Sequence, residues 1–220
     1  MLARDLISNH IPPLKASDTA ARALQWMHDL HLTHLPIVQK GKLVGVISEE
    51  DILNATTTSA ELNALDLVLP LHFVHENDHI YEVVKMIVNK KLTALPVVDS
   101  EEIFVGTIAL DSLLAYFAES GSLTETGSIV VLEMHKNDYS LSTIARVTEA
   151  ENVHVLSSYI TSRNDSTLLE LTLKLDSKKI ERVVNAYERF GYVVKASFTE
   201  SDYVDTLKER YDSLMNFLNI

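Results

Sequence analysis

The 220-residue sequence contains no cysteine. That excludes disulfides, thiolate metal sites and thiol nucleophiles, and it fits a reducing compartment. Glycine is scarce: six residues, none of them in a GxxxxGK[ST] phosphate loop or a GxGxxG dinucleotide turn. A GxSxG nucleophile elbow is also absent, so a catalytic centre is not expected. Basic residues are outnumbered, 19 against 31 acidic ones, for a formal net charge of −12. A field of that sign repels nucleic-acid backbones and anionic lipid. The densest basic stretch, Lys178, Lys179 and Arg182, reads as one solvated helix face. No apolar run approaches the roughly 20 residues that span a bilayer. The start, Met1-Leu2-Ala3-Arg4-Asp5, carries an acid early and does not resemble a secretory signal. A cytoplasmic protein with neither a membrane nor a nucleic-acid partner is therefore expected.

What is present is an ordinary globular composition, 46% apolar and 23% charged, arranged as a repeat. Residues 14–38 (LKASDTAARALQWMHDLHLTHLPIV) align with residues 74–98 (VHENDHIYEVVKMIVNKKLTALPVV) at an offset of 60. Asp18 matches Asp78, Leu32-Thr33 matches Leu92-Thr93, and Leu35-Pro36 matches Leu95-Pro96. In each unit the Asp is expected to N-cap a helix. Leu24 and Met27, then Val83, Val84, Ile87 and Val88, supply an apolar helical face. Short branched runs follow as strands, Leu35 to Val38 and Leu95 to Val98, then Leu43 to Ile47 and Ile103 to Ile108. Each second strand runs into another helix, at Glu49 or Leu110. One such unit leaves an apolar sheet face open, and pairing two buries it.

After Gly121 the texture changes. Strands are expected at 128–134, 153–160, 168–175 and 192–198, and helices around Ile144 and Val183, the second ending near Gly191. The order β-α-β-β-α-β is the ferredoxin-like arrangement. A last helix over 201–218 carries Tyr203, Leu207, Tyr211, Leu214 and Leu218 along one stripe.

The repeat resembles a pair of CBS (cystathionine-β-synthase-type) domains, a Bateman-type module with two clefts. The family signature is a strand Gly followed by a hydroxyl residue three positions on and an Asp six positions on. Gly45-Val46-Ile47-Ser48-Glu49-Glu50-Asp51 carries it in full. The resemblance implies that Ser48 and Asp51 hold the ribose of an adenosine nucleotide (AMP, ADP, ATP or an S-adenosyl compound). It also implies that Leu71, His72, Leu92 and Thr93 wall that cleft, and that His34 stands near the phosphates. The same two residues also suit a plain structural role, Ser48 capping a helix and Asp51 lying in its first turn. The second unit departs from the pattern, with Ala109 at the hydroxyl position and Ser112 at the carboxylate position, so one occupied cleft is expected. His72, His75 and His79, with Glu76 and Asp78, have a loose ligand-like spacing but fall in a connector, and no metal or other cofactor is expected.

The C-terminal unit resembles an ACT domain. Its first strand–helix turn, Lys136 to Leu141, lacks the glycine that admits an amino-acid ligand, and Asp138 is a candidate N-cap. Side-by-side pairing through sheet edges is the expected use. The expected fold class is α+β, with CBS repeats at 1–60 and 61–121, an ACT-like domain at 126–199 and a C-terminal helix at 200–220. This order is similar to small bacterial regulatory proteins of the acetoin-utilisation type. The resemblance implies a non-catalytic, energy-sensing homodimer that binds an adenosine nucleotide and acts on a regulated protein not identifiable from this chain. The alternative is a ligand-free assembly scaffold.

Overall fold

Alternation of short branched runs with amphipathic ones builds the first repeat as β1 (Leu14–Lys15), α1 (Ala20–Leu30), β2 (His34–Gln39), β3 (Lys42–Ser48) and α2 (Glu49–Asn54). The second repeats it as β4 (Val74–His75), α3 (Ile80–Lys90), β5 (Ala94–Val98), β6 (Phe104–Ala109) and α4 (Leu110–Ser120). The computed structural model describes residues 1–55, 60–65, 69–120, 123–162 and 166–199, in two compact units, Met1–Tyr116 and Phe117–Ile220. The helix expected over 201–218, Gly121 and the turn residues Arg163, Asn164 and Asp165 lie outside the described residues.

In both repeats the first strand pairs parallel and the last antiparallel with the middle one, giving sheets β1-β2-β3 and β4-β5-β6. Both hairpins slip register at the equivalent place, between Ile37 and Val38 and between Val97 and Val98. The helices start one residue later than expected. Thr19 and His79 are the N-caps, accepting from Arg22 N and Tyr81 N. Asp18 and Asp78 instead close the preceding turns, accepting from Lys15 N at 2.7 Å and His75 N at 2.8 Å. A carboxylate serves either purpose, and here the orphan donor it reaches lies upstream. Val88, expected on the apolar stripe, is 65% exposed because Val83 and Ile87 hold the centre of that face.

The two repeats are interlocked. The lead-in to the first repeat packs on the second: Ala3 N donates to Asp78 O, Arg4 N to Glu76 O and Ser8 N to Thr107 O. The lead-in to the second packs on the first: Leu62 N donates to Asp18 O, Asn63 N to Ala16 O and Val46 N to Pro70 O. Ala3 and Leu6 accordingly belong to the core around Val83, Leu95 and Ile108, and Leu62 to the core around Leu14, Met27 and Ile47. The sequence repeat at 60/61 is therefore not a packing boundary. Each crossing needs a glycine. A Cβ on Gly45 would stand 2.6 Å from Leu69 Cβ, and one on Gly106 would stand 2.4 Å from Ile7 Cγ2.

The second unit is β7 (Ser128–His135), α5 (Leu141–Glu149), β8 (Val155–Ser162), β9 (Leu168–Leu175), α6 (Glu181–Arg189) and β10 (Val193–Thr199). Its antiparallel sheet has the order β10-β7-β9-β8, with the first and third strands of the unit central, as in a ferredoxin-like fold. Val130, Leu132, Leu171 and Leu173 face Ile144, Val147, Val183 and Tyr187 of the helices. The Tyr187 hydroxyl meets Thr148 Oγ1, which donates to Ile144 O at 2.9 Å, so a buried polar pair is satisfied within the core. On the other sheet face Lys195 pairs with Glu133 and Glu170. β8 begins two residues later than expected because His154 N and Nδ1 are tied to the Asp176 carboxylate at 2.9 and 2.8 Å. Ser140, not Asp138, caps α5, accepting from Thr143 N. Residues 136–138 are spent on a 3-10 turn ahead of the helix.

Two substitutions test this packing by chemical denaturation. Gly45→Ala should lower stability by roughly 1–3 kcal/mol, since the obstructing group is Leu69 with its backbone. Thr107→Val should raise it by about 1 kcal/mol, because the Thr107 hydroxyl is fully buried with no hydrogen-bond partner among the described residues.

Candidate functional site

The antiparallel register of β2 and β3 places His34 directly opposite Ser48, the last residue of its strand. Ser48 then N-caps α2 and forms a capping box with Asp51. Asp51 N donates to Ser48 Oγ at 3.1 Å. Asp51 Oδ2 accepts from Ser48 N at 2.9 Å and from Ser48 Oγ at 2.6 Å. Among the described residues no group donates to Oδ1. The structural role weighed for these residues is thus real, and it leaves one carboxylate oxygen free to accept.

Thr93 reaches this cluster from the other repeat. Its Oγ1 accepts from Thr33 N at 2.9 Å, and its backbone N–H donates to His34 Nδ1 at 3.4 Å. Thr33 Oγ1 and Thr93 Oγ1 also lie 3.0 and 3.3 Å from that nitrogen. Burial pushes the His34 imidazole below its ordinary pKa, with the Asp51 carboxylate opposing and His72 reinforcing the shift. His72 is lowered as well, by burial and then by Lys90. Asp51 and His72 thus both lie near enough to act on the half-buried His34. Leu71, 60% exposed, precedes His72 in the chain. Leu92 is placed differently: it is 5% exposed in the core of the second repeat, where its N–H caps α3 at Ile87 O.

The facing strand pair at the equivalent place in the second repeat carries no polar side chain. β5 and β6 set Ala94 opposite Ala109, both buried, where the first repeat has His34 opposite Ser48. Ser112 stands where Asp51 does, and the neighbouring Asp111 carboxylate accepts from Ser112 N at 2.7 Å. Thr33 was not among the expected site residues. Its signal was the Leu-Thr pair repeated at 32–33 and 92–93.

His75-Glu76-Asn77-Asp78-His79 also spells HExxH, a zinc-protease string that requires both histidines on one helix face. Here His75 lies in β4 and His79 is the N-cap of α3, so that geometry does not arise. No group of three potential metal ligands occurs among the described residues.

Residues 3–57 and 66–119 each match the family described as CBS domain. A CBS domain-containing protein of Methanocaldococcus jannaschii is 24% identical over 118 residues, 53% of this chain and 95% of that protein. A homoserine O-acetyltransferase of Methanosarcina acetivorans is 25% identical over 122 residues, and the chain spans only 22% of its length. Among solved structures, a CBS domain pair/ACT domain protein of Thermotoga maritima is 27% identical, with a TM-score of 0.47. The match covers 54% of this chain and 98% of that one.

Because Asp51 closes the capping box, Asp51→Ala should destabilise the protein by about 0.5–2 kcal/mol. Asp111→Ala should change it by less than about 0.5 kcal/mol. Denaturant midpoints of the two variants measure the contrast.

Proposed function

The N-terminal half of the chain, residues 3–57 and 66–119, belongs to the CBS domain family, and we propose that it is a non-catalytic regulatory module binding an adenosine compound in its first cleft. The observation that carries this reading is the free Asp51 Oδ1 at the start of α2, beside Ser48 and His34. A carboxylate oxygen and a hydroxyl suit the two vicinal hydroxyls of a ribose, through charge-assisted bonds. In this reading Thr93 and His72 line the site from the second repeat and its lead-in, and Leu92, buried in the second repeat's core, is not part of it. Ser48 donates to Asp51, and His34 Nδ1 faces threonines, so the cleft forms no serine–imidazole pair.

In this reading the cleft relays occupancy because its walls come from both repeats. A ligand gripping both shifts any equilibrium between two arrangements of them by its differential affinity. The second unit is proposed to act as an ACT-like partner of the module. The molecule is proposed to be a cytoplasmic homodimer, with the regulated protein a separate chain. Tyr81 and Val88 on α3 and Leu110 and Leu114 on α4 support an assembly surface, being 40–70% exposed at helical spacing. An assembly that never binds ligand is favoured only by the emptied second cleft.

Calorimetric titration with AMP, ATP, S-adenosylmethionine and 5′-methylthioadenosine tests the reading. At least one should bind, Asp51→Asn should weaken it by about 10–100-fold, and Ser112→Ala should leave it unchanged. Binding that survives Asp51→Asn would defeat the assignment of the first cleft.

A further inference from the structure

The sheet of the second unit has two faces, and its two described helices, α5 and α6, lie on one of them. Strand alternation puts Val130, Leu132, Leu171 and Leu173 under those helices and turns the intervening residues the other way. Cross-strand register lines up the outward residues in rows. Phe198 lies beside Ile129, and in the next row Ala196 lies beside Val131, with Tyr159 beyond Thr172. On β10 and β7 both rows are wholly apolar, and Tyr159 adds an aromatic ring on β8. Past them the face turns charged, where Lys195 pairs with Glu133 and Glu170. Phe198 and Tyr159 are 57% and 61% exposed. Scattered exposed apolar residues need no explanation, but contiguous rows across a sheet face mark a contact surface.

The chain leaves the sheet at that apolar end, since Thr199, the last residue of β10, pairs with Ser128. Residues 200–220 follow, and Tyr203, Leu207, Tyr211, Leu214 and Leu218 recur there at helical spacing. A helix over 201–218 would be about 27 Å long. The eight-residue strand β7 runs about 26 Å, so the lengths match. Such a helix alone in water is marginal and needs a surface for its stripe. The four residues from Thr199 to Tyr203 reach at most roughly 14 Å, and β9 lies two strand spacings, about 10 Å, across from β10. Tethered at that distance, the segment meets the face at a roughly millimolar effective concentration, ahead of any separate chain. We propose that residues 201–218 pack as a helix across the open sheet face of their own chain. The stripe is seated on Ile129, Val131, Tyr159 and Phe198, and the second unit becomes a helix–sheet–helix sandwich. The inference is independent of the adenosine reading.

Hydrogen exchange on the full chain at neutral pH, read by mass spectrometry, tests it. Amides of residues 203–218 should exchange at least roughly tenfold more slowly than in an unfolded chain. Phe198→Asp and Tyr159→Asp should each remove that protection, although both side chains are more than half exposed and such substitutions are otherwise near neutral. Phe190→Asp, a similarly exposed change at the end of α6, should leave it intact. Because the chain has no cysteine, Val131→Cys can be combined with Leu207→Cys or Tyr211→Cys, and at least one pair should close a disulfide within one chain. Protection that is absent, or that ignores both sheet substitutions, would overturn the proposal. So would failure of both cysteine pairs, or disulfides formed only between two chains, which would make a second copy the occupant.

Discussion

Two backbone crossings hold the first unit together. Where residues 69–70 pass over Gly45, and where residues 7–8 pass over Gly106, chain from one repeat lies against the last strand of the other, closer than a side chain allows. Neither repeat closes its core alone: Ala3 and Leu6 complete one, and Leu62 completes the other. Strand residues are exchanged as well, with Val46 buried among second-repeat residues and Ala94 and Ala109 among first-repeat ones. A folded half-module is therefore not available to this chain. Burial, backbone pairing and the glycines all require both repeats at once, which makes the unit cooperative.

That exchange also determines where the proposed ligand would meet both repeats. The contacts of Thr33 and His34 with Thr93 run between repeats, so the polar cleft sits on the seam rather than within one half. In the second repeat the same seam position was given over to packing. Ala94 and Ala109 are buried in the shared core, and the imidazole and hydroxyl of their counterparts have no equivalent there. The duplicated architecture thus carries one polar seam: symmetry supplies the scaffold, and the departure from symmetry leaves His34, Ser48 and Asp51 on one side only.

Much of this was legible in the residues. The 60-residue offset, the Leu-Pro strands and the Gly45–Ser48–Asp51 spacing each reflect a local rule, and local rules leave local marks. The order of β7 to β10 was readable for the same reason, from alternation and turn residues. Three things were not. The exchange of lead-in segments joins residues from 24 positions apart (Val46 and Pro70) to 99 (Ser8 and Thr107) and has no periodicity; its one trace is a glycine in each last strand. Asp18 and Asp78 were misread as helix caps because the pattern announces a carboxylate near a helix start without saying which donor it meets. Leu92 shares a dipeptide with Thr93, yet one faces the core and the other the cleft. Adjacent residues in a tight turn point to different places, and a one-dimensional motif cannot separate them.

The capping box gives Asp51 two duties, and they are coupled. Oδ2 is engaged by the Ser48 backbone and hydroxyl, which starts α2, while Oδ1 is left over. A ligand that draws on the free oxygen thus acts on the same group that orders the first turn of the helix. The start of α2 is also fixed from behind, by Glu49 N donating to Thr33 O, and Thr33 is the residue that meets Thr93. The second repeat has the matching bond from Leu110 N to Thr93 O. Helix start, seam threonine and opposite repeat form one continuous hydrogen-bonded path, and it is polar at the ligand end in the first repeat alone. A ligand that changes how α2 begins therefore has a physical route to the seam, whereas the second cleft has the path without the polar end that would drive it.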